Sequence, residues 1–116
     1  MAYRARVTLA GDPKGMHARP AAQIGSAIRG LDAEIVFIQG DKTFRVRTRV
    51  PTNDLMRAAI ALDLDAGVAF EVTCAGPQAD TALRALERAF TEGPLAGSRF
   101  EVLEPGTDGE SGRTTP

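Results

Sequence analysis

The chain has 116 residues, of which 43% are hydrophobic, and this predicts one domain that folds without a structural metal or a disulfide framework. Its net charge of −1 argues against bulk electrostatic attraction to nucleic acid or to an anionic membrane. No apolar run approaches the roughly 18 residues that span a bilayer, and the first residues lack a secretory signal. A cytoplasmic protein without membrane insertion is therefore expected.

A strand and an amphipathic helix are the first predicted elements. Residues 3–9 alternate apolar with polar side chains, which is typical of a half-buried strand. From His17 to about Gly30 the apolar residues recur at helical spacing instead. Pro20 fits only in the first turn of this helix, where a missing backbone N–H costs nothing, and Gly30 stands where a terminating glycine is expected.

A hairpin and a short helix follow. Residues 33–39 form an apolar run rich in β-branched side chains, and residues 43–50 alternate strongly after the turn sequence GDK. This arrangement predicts a β-hairpin whose second strand ends at Pro51. A short helix is predicted from about Leu55 to Leu62.

The last predicted elements are a strand over residues 68–76 and a helix from about Gln78 to Thr91. The order β-α-β-β-α-β-α predicts an α+β open-faced sandwich, in which three helices cover one face of a four-stranded antiparallel sheet. The domain is expected to span residues 1–93. The remaining residues, 94–116, are predicted to be a C-terminal extension in which SRFEVLE suits one short strand and the polar end is disordered.

The uncovered face of the sheet is predicted to carry a row of arginines (Arg4, Arg6, Arg45, Arg47 and Arg49). RNA-binding sheet faces stack bases on exposed aromatic side chains, whereas Phe44 is expected on the opposite face. A solvated face with acidic partners across the strands is therefore favoured, and no nucleic-acid partner is expected.

The segment GMHARPAA, residues 15–22, contains the only histidine of the chain, His17, at the start of the first predicted helix. The first N–H groups of a helix have no intrahelical partners and, together with the helix dipole, bind anions. Arg19 adds a planar guanidinium that suits phosphate oxygens. This positive charge disfavours the imidazolium, and a neutral imidazole is a nucleophile. These residues predict a phosphohistidine site.

GMHARPAA resembles the active-site segment of HPr, the histidine phosphocarrier of the bacterial phosphoenolpyruvate-dependent phosphotransferase system. In element order the resemblance extends from about Tyr3 to Thr91. It implies that His17 is phosphorylated through Nδ1, giving pros-phosphohistidine, and that Arg19 stabilises the phosphate. The amides of Ala18 and Arg19 would complete the phosphate-binding cradle.

The resemblance also implies the partners: enzyme I as phosphodonor and an EIIA-type protein as acceptor. The chain would be a carrier in sugar transport rather than an enzyme, and a monomer without a cofactor is expected. Met16, Leu55 and Met56 fall in regions that dock partner proteins in the family, although core packing explains Leu55 and Met56 equally well. Many family members carry a regulatory serine at the start of the second helix, but TNDLMRAA contains none, so control by a serine kinase is not expected.

Two functions of other classes stay open. A regulatory interaction module of the same fold would use phosphorylation of His17 only as a switch, and a nucleic-acid binder would use the arginine face. Metal binding is not expected, because one histidine and one cysteine in distant elements cannot supply a typical zinc ligand set.

Overall fold

The computed structural model describes residues 2–10, 18–65, 67–93 and 95–104. The seven predicted strands and helices follow one another in the predicted order in this part of the chain, and one further strand comes after them. The elements are β1 (Ala2–Thr8), α1 (Ala18–Ile28), β2 (Glu34–Gln39), β3 (Lys42–Val46), α2 (Pro51–Ala61), β4 (Ala69–Ala75), α3 (Ala79–Glu92) and β5 (Arg99–Glu104).

The strands form one antiparallel sheet in the order β3-β2-β4-β1-β5. Helix α1 packs against both α2 and α3, and α3 also contacts β1, β4 and β5. Alternate residues of the strands face the helices, where an apolar core excludes water. The predicted α+β open-faced sandwich, with its helices on one side of the sheet, is confirmed.

A row of phenylalanine rings crosses the core from one side of the sheet to the other. The ring centroid of Phe70 on β4 lies 5.2 Å from Phe37 on β2 and 5.9 Å from Phe90 on α3. Phe90 in turn lies 6.5 Å from Phe100 on β5. Since aromatic pairs at these distances attract one another in addition to burying area, the row connects β5 to the same core as the other strands.

The short strand predicted in SRFEVLE is present as β5, and it joins the predicted four-stranded sheet as a fifth strand beside β1. It pairs antiparallel with β1 and places Phe100 opposite Val7. The turn before it buries Leu95 completely. The segment SRFEVLE is short, and it is stabilised as a strand by the edge of β1 and by the buried ring of Phe90 on α3. Neither surface can be read from the local pattern.

The connection between β3 and α2 also differs from the prediction. Strand β3 ends at Val46 rather than near residue 50, and α2 begins at Pro51 rather than near Leu55. The reason is a clamp between Arg47 and Asp54. The Asp54 carboxylate, 2% exposed, accepts hydrogen bonds from the Arg47 backbone N–H at 2.7 Å and from its guanidinium at 2.9 and 3.0 Å. These bonds draw Arg47 out of the strand and towards the first turn of α2.

The open face of the sheet neutralises most of its own charge. Arg4 and Arg6 lie 3.5 and 3.6 Å from the Glu71 carboxylate, and Arg6 also lies 3.9 Å from Glu101. Arg45 forms a 3.0 Å ion pair with Glu34. The predicted solvated face with acidic partners is confirmed for these three arginines, whereas Arg47 and Arg49 lie beyond the end of β3.

Replacing Leu95 with alanine tests whether the turn before β5 belongs to the core. We expect the free energy of unfolding to fall by about 3 kcal/mol, because a buried leucine leaves a cavity when it is truncated. Chemical denaturation measures this change. The control is Ile60→Ala at a side chain that is 78% exposed, where a change within about 0.5 kcal/mol is expected. Equal effects of the two substitutions would contradict this packing.

Asp54→Asn tests the clamp through its pH dependence. The Arg47 guanidinium holds the pKa of Asp54 below its usual range, and this outweighs the opposing effect of burial. The stabilisation is therefore present above the unfolded pKa of 3.8 and is lost as the pH falls through the lower folded value. At pH 7 we expect a loss of about 2 kcal/mol, which shrinks in acid.

Thermal unfolding of both proteins between pH 7 and pH 2 measures this difference. The matched control is Asp63→Asn, since Asp63 is exposed and its ion pair with Lys42 is long, at 4.0 Å. A deficit of Asp54→Asn that stays constant down to the lowest pH would exclude an ionic clamp.

Candidate functional site

The first turn of α1 contains backbone N–H groups that have no acceptor within the helix, and it carries an exposed arginine. The helix begins at Ala18, with Pro20 buried in its first turn as predicted, and Arg19 is exposed to solvent. The first turn contains no acidic residue, whereas α2 carries Asp54 and α3 carries Asp80 at the corresponding place. The positive end of the α1 dipole therefore has no carboxylate from its own helix to offset it.

The predicted phosphoacceptor precedes this turn directly in the sequence. His17 and Met16 belong to residues 11–17, which lie outside the described residues, so their predicted roles stay predictions. The backbone of Ala18 is the first of the predicted phosphate-binding groups that the structure describes. Ala18 and Arg19 are thus in the same helical turn, as the phosphate cradle requires.

The buried face of α1 determines which way Arg19 points. Ala21, Ile24 and Ile28 are fully buried, which confirms the predicted apolar stripe. Gln23 and Arg19, one turn apart, lie on the exposed side. The Arg19 side chain is therefore accessible from solvent.

Helix α2 packs closely against α1. A Cβ added to Gly25 would lie 2.8 Å from the Thr52 Oγ1 atom and 3.1 Å from the Thr52 backbone nitrogen, so only glycine allows this approach. Of the predicted docking residues on α2, Met56 is partly buried and Leu55 is completely buried. The burial of Leu55 favours core packing, the alternative that the sequence left open, and places Leu55 out of a partner's reach.

Two approaches made by the chain after α3, one to α1 and one to the residues after β1, cannot be predicted from the sequence. The end of α3 reaches α1, since a Cβ on Gly93 would lie 2.6 Å from the Gln23 Oε1 atom. The turn after α3 reaches the end of β1, where the Ala10 N–H donates a 3.0 Å hydrogen bond to the Ser98 hydroxyl. Ser98 was not a predicted site residue, because a lone serine before a short strand carries no local pattern.

The described part of the chain gives little support to thiol or metal chemistry. Burial raises the pKa of the Cys74 thiol to about 12, so this cysteine packs as a small apolar side chain and is not a reactive thiolate. Within residues 2–10, 18–65, 67–93 and 95–104, no three His, Cys, Asp or Glu side chains are grouped to hold a metal ion. None of the described helices is long and apolar enough to cross a membrane.

Comparison with known proteins supports the resemblance seen in the sequence. The family model described as PTS HPr component phosphorylation site matches residues 5–92. The phosphocarrier protein NPr of Escherichia coli K12 is 35% identical over 79 residues, which cover 68% of this chain and 81% of NPr.

Solved structures agree with this assignment. The phosphocarrier protein HPr of Bacillus anthracis superposes with a TM-score of 0.58 at 25% identity and covers 76% of this chain and 95% of its own. A histidine-containing phosphocarrier protein from Mycoplasma has a TM-score of 0.62 at 21% identity and shows the shared fold. The match covers 78% of this chain and 96% of the Mycoplasma protein.

The matched region contains the sequence around the start of α1 and every element from the second half of β1 to the end of α3. With its fold and a curated relative in agreement, the chain belongs to the HPr family of phosphocarrier proteins of the phosphotransferase system.

Proposed function

We propose that this chain accepts a phosphoryl group on His17 from phosphorylated enzyme I and passes it to an EIIA-type protein. The observation that carries the proposal is the match of the HPr phosphorylation-site model to residues 5–92, a range in which His17 is the only histidine. The chain would be a stoichiometric carrier rather than an enzyme. It would act as a cytoplasmic monomer and need no cofactor.

The first turn of α1 supplies the groups that a phosphohistidine needs. The N–H groups of Ala18 and Arg19 have no intrahelical acceptors, because they belong to the first turn. The Arg19 guanidinium can donate two parallel hydrogen bonds to phosphate oxygens. The absence of a carboxylate in this turn supports the site, since an acidic side chain there would repel the dianion and compete for the same donors.

The transfer itself requires a neutral imidazole. The lone pair of His17 Nδ1 attacks phosphorus and forms the new N–P bond, while the bond between phosphorus and the donor residue breaks and its electron pair returns to the donor. The amides and Arg19 then face the phosphoryl oxygens, whose charge they stabilise as it develops. Onward transfer reverses these roles with the acceptor protein.

A carrier must not hold its phosphate too tightly, because each kilocalorie of extra binding slows the onward step. The exposure of Arg19 supports moderate binding, since solvent screens an ion pair at the surface. The single arginine in the first turn of α1 is consistent with this requirement. A buried cage of several cations would favour storage of the phosphate over transfer.

Partner docking is assigned to the surface that α1 and α2 share near Met56, and Met16, outside the described residues, stays a predicted docking residue. The close contact of Gly25 with Thr52 supports this, because it brings the start of α2 beside α1. Leu55 is excluded from this surface by its complete burial. Its role is to hold α2 in place.

Phosphorylation with phosphoenolpyruvate and a cognate enzyme I tests the proposal. We expect an acid-labile, base-stable phosphate on the wild-type protein, none on His17→Ala, and transfer of the label to an EIIA-type protein. Radiolabelled phosphoenolpyruvate and gel separation measure all three. A wild-type protein that is never labelled would exclude the proposal, and labelling without onward transfer would favour the regulatory switch instead.

Arg19→Ala tests the phosphate-binding arginine. We expect the rate of phosphoryl transfer to fall by about tenfold to a hundredfold, because a charge-assisted donor to the transferred group is lost. Circular dichroism should show an unchanged fold, since Arg19 is exposed. The matched control is Arg29→Ala, an exposed arginine at the other end of α1, for which a normal rate is expected. Loss of folding in Arg19→Ala would contradict this role.

A further inference from the structure

We propose that Gly25 is a specificity-determining residue, because it sets the spacing between α1 and α2 and hence the shape that these two helices offer to enzyme I. The inference rests on the proposed function, in which partner proteins dock on the surface that α1 and α2 share. Gly25 is buried, so it acts by positioning α2 and does not touch the partner itself.

The backbones of the two helices approach closely at Gly25. A Cβ placed on this residue would lie 2.8 Å from the Thr52 Oγ1 atom, 3.1 Å from the Thr52 backbone nitrogen and 3.4 Å from its Cα atom. Since non-bonded carbon atoms attract best at about 3.5–4.0 Å, even a methyl group at position 25 would force α2 to move. Two of these three atoms belong to the backbone, so a rotation of the Thr52 side chain cannot relieve the crowding completely.

Hydrogen bonds restrain the start of α2 at a second place, the connection between β3 and α2. The Gly30 backbone N–H, just after α1, donates to the Thr48 carbonyl oxygen at 3.0 Å, and the Thr48 hydroxyl donates to the Leu31 carbonyl oxygen at 2.9 Å. The next residue back, Arg47, is bound to Asp54 in the first turn of α2. The end of α1 is therefore joined to the start of α2 by bonded neighbours.

One side of α2 carries this restraint to the docking surface. Thr52 and Met56 are one helical turn apart, so their side chains lie on the same side of the helix. Both residues are partly buried, which places this side at the edge of the core. A displacement of α2 at Thr52 would move Met56 relative to α1. A partner that contacts both helices would then meet a changed surface.

A preset spacing favours one partner shape over others. The centres of protein interfaces pack as densely as protein interiors, so a small shift of one helix against the other removes contacts with a matched partner. A surface that already has its bound arrangement also loses little conformational freedom on binding. Both effects act on the affinity for enzyme I.

The phosphate-binding turn is far enough from Gly25 to be spared. Arg19 precedes Gly25 by six residues on α1, a separation of about 9 Å along the helix axis. A change in the spacing of α1 and α2 should therefore weaken docking without slowing the transfer step, which is the behaviour of an interaction that binds the ground state and the transition state equally.

Gly25→Ala in the full chain tests the inference. We expect the half-saturating concentration of phosphorylated enzyme I to rise about tenfold, while the maximal rate stays within about twofold of the wild type. Phosphoramidate, a small phosphodonor that requires no docking surface, should label both proteins at the same rate. The matched control is Ser26→Ala. Ser26 is exposed and lines the groove between α1 and α3, so its substitution should leave the half-saturating concentration unchanged.

A second substitution separates a positioning role from a loss of stability. Thr52→Ala removes the atom nearest to the added Cβ, so combining it with Gly25→Ala should recover most of the affinity for enzyme I. Thr52→Val keeps the branched side chain and should not recover it. Amide resonances of residues 51–61 should shift in Gly25→Ala and return towards the wild-type positions only in the combination with Thr52→Ala.

A folded Gly25→Ala protein with the wild-type half-saturating concentration would overturn the inference, as would equal recovery by the two Thr52 substitutions. If Gly25→Ala does not fold alone, its combination with Thr52→Ala carries the test, because the backbone nitrogen still crowds the added Cβ. This double variant should then bind enzyme I more weakly than Thr52→Ala alone, and equal binding would overturn the inference.

The two proposals fail in different ways. A wild-type protein that enzyme I never labels would exclude the phosphocarrier function and, with it, the docking role of Gly25. Normal labelling of the wild type together with normal docking of Gly25→Ala would exclude the role of Gly25 alone.

Discussion

The packing of α1 between α2 and α3 is the constraint on which the rest of the structure depends. Ala21, Ile24 and Ile28 bury one side of α1 completely, and Gly25 lets the backbone of α2 approach to a distance that no larger residue allows. Because the helix is held along its length, its first turn stays at the edge of the helix layer. Arg19 in this turn is exposed to solvent.

Charge is distributed differently on the open face of the sheet and at the start of α1. On the open face of the sheet, Arg4, Arg6 and Arg45 are paired with glutamates on neighbouring strands, so this face offers little net field to a polyanion. At the start of α1 the helix supplies no carboxylate to offset positive charge, since its first turn has no acidic residue. The proposed phosphate site therefore lies at a helix end whose first turn has no acidic residue of its own.

Strand β5, in the predicted C-terminal extension, is packed into the domain. Phe100 joins the row of aromatic rings, Leu95 is buried among core residues, and Ser98 binds the backbone at the end of β1. The extra strand also covers an edge of β1 that would otherwise expose unpaired N–H and C=O groups. The residues that complete the sheet therefore also contact α3 and the chain that follows β1.

Local patterns determined the element order, the buried stripe of α1 and the prediction of a phosphohistidine site, because periodicity and the GMHARPAA motif lie in contiguous residues. Only the tertiary structure decided that β3 stops at Val46, that Leu55 is buried and that residues 99–104 join the sheet beside β1. The end of β3 depends on a contact with the next element, since Asp54 of α2 binds Arg47, and β5 depends on partners distant in the chain, β1 and Phe90. The Ser98–Ala10 bond joins residues 88 positions apart, and such a contact exists only once the sheet has formed.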